Sequence, residues 1–140
     1  MRKLKPYSAS FLTLSGFLLI ALGIYFIFLR PPLLPEDQRY VGSTLSEING
    51  SIPALSLWLQ KVFWVMGGYV LTSGLFTLYF AKTSFHTRTS GAFTIALLTG
   101  LSSIGWMTAV NFILLSDFRW VLLTFTTPWI ISLMLYARHQ

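Results

Sequence analysis

Glu36, Asp37 and Arg39 stand within four positions of one another, and Asp117 and Arg119 flank Phe118. Carboxylates and guanidinium groups at a membrane surface could act on or hold a lipid head group, as in a lipid-modifying hydrolase or transferase, or bind a cation. Only proximity in sequence pairs them, so the default roles are helix-start acids and surface charge. A second set lies in apolar sequence: Thr72, Ser73, Ser102, Ser103, Thr127 and Pro128, with Trp106 and Trp129 about one turn away. A few hydroxyls and an indole edge in apolar surroundings suit a lipid, a quinone or another hydrophobic small molecule. The competing and weightier role for such hydroxyls is a bond back to their own helix. His86 and His139 stand outside the apolar windows, so haem ligation inside a membrane is not expected, and no metal-ligand spacing is found. Without cysteine there is no thiol nucleophile or thiolate metal site. The expectation is no metal and no cofactor.

The elements that position these groups follow from composition. Of 140 residues, 54% are hydrophobic and 10% charged, and mean hydropathy is +0.67. A soluble domain carries roughly one-quarter charged residues, so this is the composition of a membrane protein. Phe11 to Leu29, Val62 to Ala81, Thr89 to Ser116 and Trp120 to Ala137 carry no charge. The first, second and fourth are close to the roughly 20 apolar residues a bilayer crossing requires, and the third, apolar from about Ala92 to Leu115, is long enough to span with some tilt. The expected fold is an all-α, four-transmembrane-helix bundle forming a single domain, residues 1–140. Its spans are expected at about 9–29, 54–81, 91–115 and 119–137, with an outer loop at 30–53 forming a short helical extracytoplasmic cap. The first span is longer than a signal-peptide core and is followed by Arg30, Pro31 and Pro32. It is read as retained.

The net charge of +6 is a topology signal and not a nucleic-acid footprint. Arg2, Lys3, Lys5, Lys82, Arg88 and Arg138 fall on one side; Arg30, Arg39, Lys61, Arg119 and all four acids fall on the other. Because the bias is strongest around the first span, both termini are expected in the cytoplasm of an inner membrane. Trp58, Trp64 and Trp120 at the outer ends, with Tyr7, Tyr79 and Tyr136 at the inner ends, fit interfacial anchors or buried rings.

Prolines at 31, 32, 35 and 53 break the outer loop. Pro35 followed by Glu36 and Asp37 reads as one helix start, and Thr44 with Glu47 as a capping box opening a second helix that stops at Asn49 and Gly50. Leu45, Ile48, Ile52, Leu55 and Leu59 mark an apolar face expected to pack as a lid, the alternative being a partner- or lipid-binding surface. Helices in lipid approach through small residues and side-chain hydrogen bonds. Ala92, Ala96 and Gly100 recur every fourth residue in the third span, and Asn111 supplies its amide, expected to pair with Thr124. Gly16 with Gly23, and Gly67 with Gly74, recur every seventh residue. Thr126, Thr127 and Pro128 predict a kink in which a threonine hydroxyl satisfies the freed carbonyl.

Leu34-Pro35-Glu36-Asp37-Gln38-Arg39-Tyr40, Ser103-Ile104-Gly105-Trp106, Asn111-Phe112 and Ser116-Asp117-Phe118 together resemble small, uncharacterised four-span integral membrane proteins of bacteria. The resemblance covers most of the chain and implies a bacterial inner-membrane location; it brings no activity or catalytic residues. The arginine and asparagine pattern of the four-span glutathione-dependent eicosanoid enzymes is absent, as is the membrane glutamate of small multidrug exporters. No ionisable residue stands inside a span, which counts against a proton-coupled antiporter. The leading expectation is a non-enzymatic multi-pass protein among membrane lipids, an accessory subunit with a protein partner or a homo-oligomer. The alternative is a binder or carrier of a lipid or hydrophobic small molecule through a midplane pocket of Thr72, Ser73, Ser103, Trp106, Thr127 and Trp129. A lipid-modifying enzyme acting through Glu36, Asp37 and Arg39 ranks third.

Overall fold

The computed structural model describes residues 5–138, and these are helical with no strand among them. Arg2, Lys3 and His139 lie outside the described residues. Four rods are long and apolar enough to cross a membrane: Tyr7–Leu29, Leu55–Phe85, Ala92–Ile113 and Arg119–Ala137. The second runs past Ala81, so Lys82 belongs to its last turn and not to the connection, as the charge pattern alone implies.

In chain order the elements are α1 (Lys5–Ile24), α2 (Pro35–Val41), α3 (Leu45–Ser51), α4 (Leu55–Phe80), α5 (Ala92–Gly100), α6 (Trp106–Ile113) and α7 (Arg119–Ala137). A π turn extends α1 over Tyr25–Leu29, another extends α4 over Ala81–Phe85, and a third over Leu101–Gly105 joins α5 to α6 as one rod. α1 packs against α4 and α7, and α7 packs in turn against α5 and α6. Around the bundle the order is therefore α4, α1, α7, then the α5–α6 rod. α4 and α6 share no packing seam.

Glycine sets the α1–α4 seam. A Cβ at Gly23 would lie 2.6 Å from the Leu71 backbone nitrogen, and one at Gly67 would lie 2.9 Å from the Gly23 carbonyl oxygen. The seven-residue glycine spacing of each helix thus brings two antiparallel backbones together where lipid supplies no hydrophobic drive. Gly100 serves α5 in the same way, since its missing side chain is replaced by the Trp129 ring of α7. Ala92 and Ala96 are buried on the same stripe.

The main core occupies the half of the bundle that holds the chain termini, with Leu12, Ala81, Phe85, Ala96, Trp129, Leu133 and Tyr136 at its centre. A smaller cluster of Leu19, Val70, Ile104 and Leu122 occupies the other half, beneath the cap. Side-chain bonds tie the rods: Ser132 Oγ donates to Ser8 O at 2.8 Å, Trp129 Nε1 donates to Ala96 O at 2.9 Å, and the Thr108 and Thr126 hydroxyls meet at 2.8 Å.

Several local expectations change. Asn111 Nδ2 donates to Met107 O and Thr124 Oγ1 to Trp120 O, so the expected pair between them is not formed; each finds a carbonyl one turn back on its own helix. Thr126 and Thr127 bond Leu122 O and Leu123 O, leaving the Thr124 carbonyl opposite Pro128 to neither. Tyr136 is buried against Phe85, ring centroids 4.5 Å apart, and is no surface anchor, whereas Tyr7, Tyr79, Trp58, Trp64 and Trp120 are exposed. α3 continues through Asn49 and Gly50 to Ser51, because the conformational bar falls on Ile52, which precedes Pro53 and leaves the helical region at φ −138°. Of its apolar face only Ile48 is buried; Leu45 and Ile52 stay exposed, so α3 forms no lid.

Candidate functional site: a lateral cleft under the cap

Where α4 and α6 fail to meet, the bundle holds a cleft of about 1090 Å³. Its walls are α4 from Val62 to Ser73 and the third rod from Ser102 to Leu114; α1 and α7 form its floor, and Leu34, Asp37 and Tyr40 of the cap segment border one end. The walls span twelve and thirteen residues, or about 18–20 Å of helix. That is a little over half of a roughly 30 Å hydrocarbon core, about the depth of one leaflet. In the third rod the Ala92, Ala96 and Gly100 stripe packs toward α7, and beyond the π turn Trp106, Met107 and Val110 line the cleft.

The deep end is apolar apart from the hydroxyls of Ser73, Ser102 and Ser103. Ser73 donates to Tyr69 O, Ser102 to Leu98 O and Ser103 to Thr99 O, which satisfies them without a ligand. Tyr69 and Trp106 stand on opposite walls and are 74% and 68% exposed, so the cleft has aromatic lips left open by the described residues.

Charge is confined to the cap end. Arg30, at the end of the first rod, is only 8% exposed at its side chain and pairs with Asp37 at 3.1 Å. Its Nη1 donates to Pro31 O and Pro32 O, and the guanidinium lies 3.4 Å from the Phe63 ring centroid. Glu36 reaches across to the α6–α7 hairpin, accepting from Ser116 Oγ at 2.8 Å and from the Asp117 backbone N–H at 3.1 Å. Arg39 joins the same hairpin through Asp117 at 2.6 Å, fully outside the core. α2 buries no residue of its own, so these polar ties hold it in place. Asp37 also accepts the Leu34 N–H at 2.8 Å, the helix-start role expected of it. In α3, Thr44 and Glu47 form the capping box: Thr44 N–H donates to Glu47 Oε2 at 2.8 Å, and Glu47 N–H to Thr44 Oγ1 at 3.3 Å. The bonds from the Thr44 backbone and side chain hold the Glu47 carboxyl below its ordinary range.

The six residues expected to make one midplane pocket are divided. Ser73, Ser103 and Trp106 line the cleft. Trp129 is buried in the terminal-half core and borders, with Ser103, a separate void of about 10 Å³, while Thr72 and Thr127 face outward. The division arises because residues at one depth lie on different sides of their helices. Glu36, Asp37 and Arg39 do share one region, but as ties within the protein: Glu36 and Arg39 reach Ser116 and Asp117, pairs 80 and 78 residues apart in sequence. Among the described residues no group of acids and histidines could hold a metal ion. No protein-family model matches the chain, and neither a curated protein nor a solved structure does.

Proposed function

We propose that this is a non-enzymatic multi-pass membrane protein that holds an amphipathic lipid or similar hydrophobic molecule in the cleft between α4 and α6. The observation that carries the reading is a cleft about one leaflet deep, largely apolar along its length and charged only at the cap end, the profile of a lipid with its head at the surface. Catalysis receives no such support. Glu36, Asp37 and Arg39 are each engaged in bonds that fasten the cap, and the hydroxyl beside Glu36, that of Ser116, is buried and spent on the same tie.

The same reading sets both termini in the cytoplasm of a bacterial inner membrane and the cap on the outer face, so the molecule bound comes from the outer leaflet. Reporter fusions after Arg88 and Gln140 should read as cytoplasmic and one near Gly50 as external; the reverse pattern would invert the leaflet. Occupancy is tested by purification in mild detergent followed by native mass spectrometry. One lipid-sized adduct per chain is expected, and it should be lost in Ala21→Trp, which fills the cleft from its floor. Recovery of a stoichiometric membrane protein in place of the lipid would instead assign the cleft to a partner's helix and the chain to the role of accessory subunit. An adduct unchanged in Ala21→Trp would place the lipid elsewhere.

A further inference from the structure

Resting on the cleft as the binding site, we infer that its occupant is an ammonium-headed amphiphile, carrying no net negative charge. Three charged residues line the cleft: Arg30, Glu36 and Asp37, a net charge of −1. The arginine is the one group that could receive an anionic head, and it is already engaged. Its guanidinium is covered on one side by Phe63 and bonded to Asp37 and to the Pro31 and Pro32 carbonyls. An anion entering here would have to displace those bonds, and it would meet two carboxylates.

A cation finds the opposite. Both hydrogen bonds of Asp37 use Oδ2, leaving Oδ1 without a partner on a residue of the cleft lining. Glu36 accepts only from a neutral hydroxyl and a backbone N–H, so its charge is not cancelled. Arg39 does not neutralise the lining, since its own partner is Asp117. Tyr40 stands on the same short helix as the acids, and Tyr69 and Trp106 follow deeper along the two walls; each is more than two-thirds exposed, and the Tyr40 ring face can take an ammonium or its methyl groups by cation–π attraction. The chemistry is thus carboxylate plus an open aromatic face at the head end and a largely apolar channel with aromatic lips for the tail.

The test uses three single-tailed probes of equal length, dodecyltrimethylammonium, dodecyl maltoside and dodecyl sulfate, titrated below their micellar concentrations onto the full chain in nanodiscs with tryptophan fluorescence as readout. The ammonium probe should bind about tenfold tighter than the neutral one, a difference of about 1.4 kcal/mol, and the sulfate weakest. Asp37→Asn should lower ammonium affinity toward that of the maltoside while leaving maltoside affinity unchanged. Because that variant also disturbs the Arg30 pair, Tyr40→Ala serves as a second one, expected to weaken the ammonium probe selectively. Sulfate binding as tightly as ammonium, or both variants shifting all probes equally, would overturn the charge assignment. If all three probes bind alike and Ala21→Trp displaces them, the cleft stands and the ammonium preference falls; if none binds, both fall. Discs of phosphatidylethanolamine and of phosphatidylglycerol separate the sources. Competition by the first alone makes the occupant a membrane lipid with an amine head, and competition by neither makes it a free cationic amphiphile.

Discussion

The two halves of this bundle are built from the same four rods, yet one is closed and the other is not. In the terminal half, Ala92, Ala96 and Gly100 let α5 approach α7 closely enough for the Trp129 indole to reach the Ala96 carbonyl, and Ala81 and Phe85 fill the remaining side. In the cap half the four-residue row continues at Ile104 and Thr108, which keep contact with α7, while Trp106, Met107 and Val110 line an open gap toward α4. Helix contact in lipid is decided by side-chain size and hydrogen bonding, not by exclusion from water. One chain can therefore hold a tight core and an open cleft a few turns apart.

The sharpest way to break this contrast is to enlarge a small residue in each half. Gly100→Leu must expel the Trp129 ring and should cost about 1–3 kcal/mol, seen as a lower melting temperature in detergent. Val110→Leu, on the cleft wall, should change stability by less than about 0.5 kcal/mol, as substitutions away from packed features do. Equal losses would mean that the cleft is packed in solution.

A smaller effect is expected at the tie between cap and hairpin. Glu36→Gln weakens the bonds from Ser116 and Asp117 and should cost about 1 kcal/mol or less, the value of an exposed hydrogen bond to a charged group after screening. Its readout is faster hydrogen exchange across Pro35–Val41, with exchange in α5 and α7 unchanged. Exchange rising equally in α7 would show that the two halves unfold together and are not separate units.

The smallest effect concerns α3. Because the folded-state pKa of Glu47 lies below its unfolded value, its contribution to capping is complete above the unfolded pKa and is lost as pH falls through the folded one. Protection of the α3 amides should therefore decline on acidification through the carboxylate range, and Glu47→Gln should remove that decline. A decline that persists in the variant would trace to another group.

What could be read in advance was what depends on neighbours in sequence. Uncharged windows between Lys61 and Lys82 and between Arg119 and Arg138 locate the second and fourth rods, the seven-residue spacing of Gly16 with Gly23 and of Gly67 with Gly74 marks packing positions in the first two, and Thr44 with Glu47 gives the capping box. Long-range pairs were not legible. Nothing adjacent to Ser8 points to Ser132, and nothing near Glu36 points to Ser116, since each pair depends on how rods rotate about their axes. The cleft was missed for a related reason. It lies between two helices, distant in sequence, that share no packing seam, and residues counted to equal depth, such as Thr72 and Ser103, turn out to face different surroundings.

The π turn at Leu101–Gly105 separates those two halves, and it bears on chain length. A π turn holds one residue more than the α path through the same space, so it is in effect a one-residue insertion absorbed without a loop. Each residue of an α-helix turns the chain by about 100°. Because the π turn absorbs the extra residue, taking one residue out of Leu101–Gly105 would return the rod to a plain α path and leave α5 and α6 facing as they do. Thr108 would still meet Thr126, and Trp106 would keep its place at the lip of the cleft. A one-residue gap elsewhere in the rod would instead rotate everything after it by about that angle, so this turn is the one place where chains could differ in length by a residue and keep both the closed half and the lining of the open one.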